Sequence, residues 1–146
     1  MIRPYLAKDH EKVLALFRLN TPRYFSPDEE QDLVEYLAEE SDNYYLFEEH
    51  GKILGCGGIN YGFDDFLRAR VSWDMVHPSH QMQGIGKKLL LYRIEEIRKE
   101  RQVTVIEVRT SQLAYQFYAR QGFRLRETQT DFWAPGFDLY RMEMAI

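Results

Sequence analysis

A glycine-bearing segment in the middle of the chain has the composition of an anion-binding turn. It runs from Gln81 to Gly86, between a strand-like run at 69–76 and a helix-like run that follows it. A turn from a strand into a helix directs several unpaired backbone N–H groups and the positive end of the helix dipole toward one point. Because Gly84 and Gly86 lack a Cβ, phosphate oxygens could approach the backbone closely there. The segment therefore predicts a pyrophosphate site.

Two common phosphate-binding motifs do not fit this segment. A dinucleotide fingerprint would need a third glycine where Leu89 stands. A P-loop would need glycine at Gln81 and serine or threonine at Lys88. Two glycines alone are also typical of a tight strand-to-helix turn that binds nothing.

A family resemblance favours the ligand-binding interpretation. Gln81-x-x-Gly84-x-Gly86 resembles the Q/R-x-x-G-x-G/A motif of the GNAT superfamily of acyl-CoA-dependent N-acetyltransferases. Residues 117–123 resemble the F-Y-x-x-x-G-F block of the same superfamily, and the likeness covers most of the chain. The resemblance implies acetyl-CoA as cosubstrate and leaves the acceptor open.

The resemblance also implies which residues contact the cofactor. Backbone N–H groups near Met75 and Val76 would stabilise the oxyanion if the strand bulges there, as it does in the family. Gln112 stands where the family has an asparagine that contacts the pantetheine arm. The implied cofactor-binding residues are Met75, Val76, Gln81, Met82, Gln83, Gly84, Ile85, Gly86, Lys87, Ser111 and Gln112.

Acetyl transfer to an amine needs a group that removes a proton from the nitrogen and is helped by an acid for the leaving thiolate. By resemblance, Tyr118 takes the general-acid position, although an aromatic packing role is the alternative. Glu107 is similar to the base in the E-V-R-x-S segment of ribosomal-protein alanine acetyltransferases, and Asp74 is its rival. The remaining alternatives are a water relay or another carboxylate, namely Glu48, Asp64 or Asp65.

An aromatic segment near the end of the chain is a candidate acceptor wall. We expect residues 132–137 to form a loop between the last two strands, with Trp133 and Phe137 binding the acceptor. Packing on the core edge or on a second subunit is the alternative for this loop. A closed pocket would favour a small amine, and an open groove would favour a protein N-terminus.

Periodicity and turn residues predict the elements that position these side chains. Helices are expected after caps at Asp9 and Ser26, after Gly86, and at 112–121, which Gly122 closes. The predicted strands are 2–6, 44–47, 52–59, 69–76, 103–108, 123–126 and 137–145, with a loop at 61–68. The fold class is α/β (α+β). The resemblance implies a mixed, mostly antiparallel sheet of about seven strands and about four helices, with strands 4 and 5 splayed around acetyl-CoA.

Composition narrows the function classes. The 146 residues are expected to form one domain, spanning 1–146, and the net charge of −4 argues against a nucleic-acid partner. The sequence contains no apolar run of about 18 residues, the length that would predict a membrane span. The single cysteine, Cys56, is expected to be a buried strand residue in a cytoplasmic protein. His77 and His80 lack acidic or thiol neighbours in sequence, so no metal is expected.

The sequence thus predicts an N-acetyltransferase that moves an acetyl group from acetyl-CoA to a primary amine by direct attack in a ternary complex. The alternative is an acyl-CoA-binding sensor or interaction module with little catalysis. Either a monomer or a homodimer is compatible with the sequence.

Overall fold

The computed structural model describes residues 1–146 as one mixed sheet with helices on both faces. The sheet order is β1-β2-β3-β4-β5-β7-β6. The strands are β1 (Ile2–Pro4), β2 (Tyr44–Glu49), β3 (Lys52–Phe63), β4 (Arg68–Val76), β5 (Val105–Thr110), β6 (Arg124–Ala134) and β7 (Phe137–Ala145). The α-helices are α1 (His10–Leu19), α2 (Glu30–Glu39), α3 (Ile85–Arg98) and α4 (Tyr115–Arg120). The predicted fold class is confirmed.

The centre of the sheet opens between β4 and β5. These two strands are parallel and pair only from Arg68 to Val71 on β4 and from Val105 to Val108 on β5. The other neighbouring pairs are antiparallel. The ends of β4 and β5 therefore separate, as predicted, and leave a gap in the sheet.

The helices pack on opposite faces of this sheet. On β2, Leu46 packs in the cluster beneath α1 and α2, whereas its neighbour Phe47 packs against α3. Successive strand residues point to opposite faces, so these two clusters lie on opposite sides. Cys56 lies in the cluster beneath α1 and α2 and is buried, as predicted.

One of the two predicted helix caps is confirmed. The Ser26 hydroxyl accepts a hydrogen bond from the Asp28 N–H at 3.2 Å, and the Glu29 carboxylate accepts one from the Ser26 N–H at 2.8 Å. This reciprocal pair begins a 3-10 turn that continues into α2. Asp9 stands at the N-cap position of α1, as predicted, but its side chain makes no hydrogen bond to that helix; the carboxylate instead accepts from the Leu6 N–H and the Arg3 guanidinium.

Several element boundaries differ from the prediction. β3 continues to Phe63 and β6 continues to Ala134, so half of 61–68 and most of 132–137 are strand instead of loop. β6 is exposed along almost its whole length, so its sequence lacks the apolar alternation that marks a half-buried strand. Its backbone pairing with β7, a tertiary contact, makes it a strand. The fourth helix is shorter than 112–121 and begins at Tyr115.

None of the four helices combines the length and the apolar character needed to cross a bilayer.

Candidate active site

The gap between β4 and β5 opens into a cavity of about 830 Å³. The 81–87 turn and α4 line one part of it, and the β6–β7 hairpin lines another. The carboxylates on the α2 side are Glu29, Asp32 and Glu40. The cavity thus brings together the glycine turn, α4 and the β6–β7 hairpin, three of the segments for which the sequence predicted a functional role.

The 81–87 turn has the backbone geometry of an anion site. Gly84 has a φ of +81°, a left-handed conformation in which a Cβ would be strained. α3 begins at the next residue, and its first closing bond runs from the Lys88 N–H to the Gly84 carbonyl at 2.9 Å. The N–H groups of residues 82–87 donate no hydrogen bond within the chain. They are the unpaired amides that the sequence predicted.

The two glycines of the turn have different roles. A Cβ on Gly86 would lie 3.4 Å from Val76 Cγ2 and 3.5 Å from Phe117 Cζ, which are ordinary contacts. The fold therefore has room for an alanine side chain at Gly86. At Gly84, by contrast, the turn requires the left-handed backbone conformation that favours glycine. Gln81 anchors the start of the turn, because its side-chain oxygen accepts a hydrogen bond from the Tyr24 hydroxyl at 3.1 Å.

β4 bulges where it enters the cavity. Gly58 pairs with Ser72 and Cys56 pairs with Met75, so two β4 residues lie opposite Gly57. Trp73, one of the two, has a φ of +52°. A bulge reorients the side chains around it and interrupts the ladder. The bulge that the family resemblance implied beside Met75 and Val76 is therefore present.

The bulge sends its two side chains to opposite faces. Trp73 stacks on Phe25 at 5.7 Å between ring centroids, on the α1–α2 face. Asp74 instead meets Tyr118 of α4 and Arg93 of α3 on the other face. The Tyr118 hydroxyl donates to Asp74 Oδ2 at 2.6 Å, and the Arg93 guanidinium donates to Asp74 Oδ1 at 2.6 Å.

Gly57 is the residue that permits this ion pair. A Cβ at Gly57 would lie 2.7 Å from the Arg93 guanidinium and 2.7 Å from Asp74 Oδ1, closer than atoms can pack. Arg93 is 1% exposed and also donates to the carbonyls of Leu89 and Gly58. Asp74 is thus held in place by a buried guanidinium whose Nε and Nη1 atoms also bind backbone carbonyls.

The environment of Tyr118 keeps its proton bound. Burial raises the pKa of Tyr118 well above its ordinary value, and the neighbouring Asp74 carboxylate raises it further. A phenol in this setting stays protonated near neutral pH. Its proton can leave only if the negative charge beside it is neutralised in the same step.

Glu107 lies in a different environment from Asp74. It is 2% exposed and forms ion pairs with Arg70, Arg68 and Arg141, the last at 3.3 Å. Arg70 lines the cavity, but Glu107 does not. The structure therefore brings Tyr118 and Asp74 together and leaves Glu107 in a separate ion-pair network. None of the alternative carboxylates Glu48, Asp64 and Asp65 lines the cavity.

The residues after β5 tie the cavity to the β6–β7 hairpin. Gln112 donates to the Gly136 carbonyl at 2.8 Å and accepts from the Asp138 N–H at 2.9 Å. The Trp133 indole donates to the Thr110 carbonyl at 3.1 Å. Ser111 is buried, and its hydroxyl accepts from the Leu113 N–H. Trp133 and Phe137 thus line the cavity on a strand–turn–strand unit that these bonds hold in place.

Cys56 is not a reactive thiol, and His77 and His80 do not belong to a metal-binding cluster. Burial raises the pKa of the Cys56 thiol to about 12, so it is not a thiolate nucleophile at neutral pH. The His77 and His80 rings contact each other edge to face, with centroids 5.0 Å apart. No three His, Cys, Asp or Glu side chains converge in a metal-binding arrangement.

Sequence reasoning missed Arg93 and Gly57. Arg93 lies on the same helical face as Leu89, Leu90 and Ile97, all of which are buried. A charged residue on an apolar stripe is rare unless it has a buried partner, so periodicity could have identified it. No local signal reveals Gly57, because its role depends on contacts with α3 and β4.

Comparison with known proteins identifies the family. An acetyltransferase (GNAT) domain model matches residues 40–125, more than half of the chain. No curated protein matches significantly.

Among solved structures, Ard1 from Thermoplasma volcanium superposes with a TM-score of 0.82 at 17% identity, over 100% of this chain and 97% of its own. The ribosomal-protein-S18-alanine N-acetyltransferase from Escherichia coli gives 0.79 at 19% identity, covering 100% and 93%. An aminoglycoside 6'-N-acetyltransferase complexed with coenzyme A gives 0.77 at 15% identity, covering 99% and 96%. At these identities the structural likeness establishes the fold, and the domain match establishes the family. This chain belongs to the GNAT family of acetyltransferases.

Proposed function

We propose that this protein transfers an acetyl group from acetyl-CoA to a primary amine by direct attack in a ternary complex. The observation that carries the proposal is the Tyr118–Asp74 hydrogen bond of 2.6 Å in the gap between β4 and β5. It lies in the same cavity as the unpaired amides of the 81–87 turn. A proton-transfer pair and an anion site are thus combined in one cavity.

The cofactor is proposed to bind along the turn with its pyrophosphate on the amides of residues 82–87. Those amides and the α3 dipole favour negative charge there, and Lys87 lines the same part of the cavity. The likeness to an acetyltransferase structure that contains coenzyme A supports this placement. The thioester would then lie in the gap, beside the bulge at Asp74.

The Tyr118–Asp74 pair can move a proton from the amine to the thiolate. The amine nitrogen attacks the thioester carbonyl, a C–N bond forms, and collapse of the tetrahedral intermediate breaks the C–S bond. The nitrogen gives a proton to the Asp74 carboxylate. Tyr118 then gives its hydroxyl proton to the departing sulfur, and in the same step Asp74 passes the proton that it received to the phenol oxygen. No phenolate accumulates beside a carboxylate, which is what the raised pKa of Tyr118 requires. In this proposal Asp74, not Glu107, receives the proton from the amine.

Arg93 is proposed to position this pair. Its guanidinium fixes Asp74 Oδ1, which leaves Oδ2 directed at the Tyr118 hydroxyl. Because Arg93 binds Asp74 and acts on the reaction only through that carboxylate, it is a positioning residue.

A small amine fits the cavity better than a protein N-terminus. The β6–β7 hairpin carries Trp133 and Phe137 into the cavity wall, and β6 also contacts the 3-10 turn Pro27–Glu29 on the far side. This contact closes part of the acceptor side, where an extended peptide would have to enter. We therefore propose a small-molecule acceptor.

The test combines binding with turnover. Acetyl-CoA should raise the melting temperature, with a stabilisation of about 2.7 kcal/mol at 100 times its Kd, and NAD should not. Thiol release from acetyl-CoA is then followed across a panel of small primary amines. Cofactor-selective stabilisation without thiol release on any amine would favour the sensor alternative. A flat thermal response, after bound cofactor has been removed, would contradict the cofactor site itself.

A further inference from the structure

Among the cationic side chains that line the cavity and form no ion pair, Arg109 is the half-buried one, whereas Lys87 and Arg120 are exposed. Arg109, on β5 just past the last pairing with β4, lines the cavity and is half-buried. Its guanidinium carbon lies 5.2 Å from the Phe132 ring and 5.4 Å from the Trp133 ring. It forms no ion pair or side-chain hydrogen bond, although five N–H donors are available on the group. The guanidinium is thus held by aromatic rings with its donors unused.

The other two arginines that line the cavity from β4 and α3 are already neutralised. Arg70 pairs with Glu107, and Arg93 pairs with Asp74. Burial lowers the pKa of Arg109, and the neighbouring charge of Arg70 lowers it further, whereas the carboxylates of Glu107 and Glu127 raise it without forming an ion pair with it. A half-buried cation that has lost water contacts and has no ion-pair partner is stabilised by an anion that enters the cavity and reaches it.

The charge distribution of the cavity favours a carboxylate over a phosphate. The α2 side of the cavity carries Glu29, Asp32 and Glu40, which would repel a dianion more strongly than a monoanion. A guanidinium presents a planar fork that matches the two oxygens of a carboxylate.

We infer that Arg109 binds a carboxylate of the acceptor, so the substrate is a small amine that also bears a carboxylate. The inference rests on the proposed function, because it assigns the substrate class of the same cavity. The amine end would lie at Asp74, and the carboxylate end would lie between β5 and the β6–β7 hairpin. The preference for an acid would then depend on a residue of β5 and not on the turn that is proposed to bind the cofactor.

The test measures binding separately from turnover. Common amino acids, β-alanine and γ-aminobutyrate are each titrated calorimetrically into the CoA-saturated protein, beside the corresponding primary amide. Acetyl transfer to the same pairs is followed by thiol release from acetyl-CoA. Phosphoethanolamine against ethanolamine is a further pair, in which the anion is a phosphate.

At least one acid should bind about 10- to 100-fold more tightly than its amide, as expected for a charge-assisted hydrogen-bonded pair. Arg109→Met should abolish that preference without changing acetyl-CoA affinity, and Arg109→Lys should restore part of it. Arg124→Met is the matched control, because Arg124 is exposed on β6 outside the cavity. It should keep the full preference.

Three outcomes would overturn the inference. They are a panel in which no acid outbinds its amide, a preference for phosphoethanolamine alone, and an acid preference that survives in Arg109→Met. Acid-selective binding that depends on Arg109 without any thiol release would uphold the carboxylate site and contradict the proposed transferase activity. The two proposals can therefore fail independently.

Discussion

The Tyr118 hydroxyl donates a 2.6 Å hydrogen bond to Asp74, a residue 44 positions earlier in the chain. The contact exists because a bulge turns Asp74 away from the α1–α2 face and α4 presents Tyr118 from the opposite side. A proton can pass between the two groups without a water molecule. The pair therefore suggests a relay that acts as one unit.

Removing either member of the relay should lower turnover. Tyr118→Phe and Asp74→Asn should each reduce kcat about 100-fold or more while acetyl-CoA affinity stays within a factor of about two. The double variant should be little worse than the slower single variant, because groups that act as a unit are not additive. Steady-state kinetics and a cofactor titration of all four proteins provide the measurement. Unchanged turnover in Tyr118→Phe would return that residue to a packing role.

Glu107→Gln should affect stability more than chemistry. The substitution removes the carboxylate that Arg70, Arg68 and Arg141 share, and should lower the free energy of unfolding by about 1–3 kcal/mol. Turnover at a temperature where the variant is folded should stay near the wild-type value. Urea unfolding and kcat are measured on the same preparations. A kcat loss as large as that of Asp74→Asn would instead support Glu107 as the base.

Gly84→Val should weaken acetyl-CoA binding through the backbone of the turn. Valine is strained at a φ of +81°, so the turn must shift and its amides leave the pyrophosphate, at a cost of about tenfold or more in affinity. Gly51→Val is the matched control, because Gly51 has a φ of +77°, has equally open surroundings, and lies in the β2–β3 hairpin. It should lose similar stability and keep cofactor affinity. Equal affinity in both variants would remove the pyrophosphate assignment.

Gln112→Ala distinguishes two roles for this residue. Its amide binds the backbone of Gly136 and Asp138, so its loss should loosen the hairpin that carries Trp133. The acceptor KM should rise about three- to tenfold while the acetyl-CoA KM is unchanged. Gln102→Ala, at an exposed turn, provides the control. A rise in the acetyl-CoA KM alone would support the pantetheine contact that the family resemblance implied.

Cys56 should make the fold sensitive to alkaline pH. Its pKa is raised by burial from 9.0 to about 12, so between those values the unfolded chain releases the thiol proton and the native chain keeps it. Stability is therefore intact below pH 9 and falls above it, by at most about 1.4 kcal/mol per pH unit for one group. The tyrosines whose pKa burial also raises, Tyr118 among them, add to the loss from about one pH unit below 10, their ordinary pKa.

A comparison with Cys56→Ala isolates the thiol, because the tyrosines titrate in both proteins. Urea unfolding at several pH values should show a flatter dependence for Cys56→Ala than for the wild type above pH 9. Identical slopes would contradict the assignment.

Much of the fold could be predicted from local patterns. The Ser26 cap, the apolar face of α3 and the hairpin at His50 and Gly51 depend on residues close in sequence, where periodicity and turn chemistry are informative. The length of β6 exceeds the prediction because its polar side chains face solvent and only its backbone pairs with β7. Asp9 lies at the N-cap of α1, but its carboxylate binds Arg3 of β1 and not the helix.

The sequence by itself predicted the glycine turn and the tyrosine on α4, because each depends on spacing within one short segment, and its resemblance to a known family implied the mixed sheet. Only the tertiary structure decided which carboxylate meets Tyr118, since that depends on the bulge at Trp73 and on the space left by Gly57. It also decided that Glu107 is paired and Arg109 is not. Ion pairing reflects which strands lie side by side and in which register, and that register is fixed by contacts across the whole sheet.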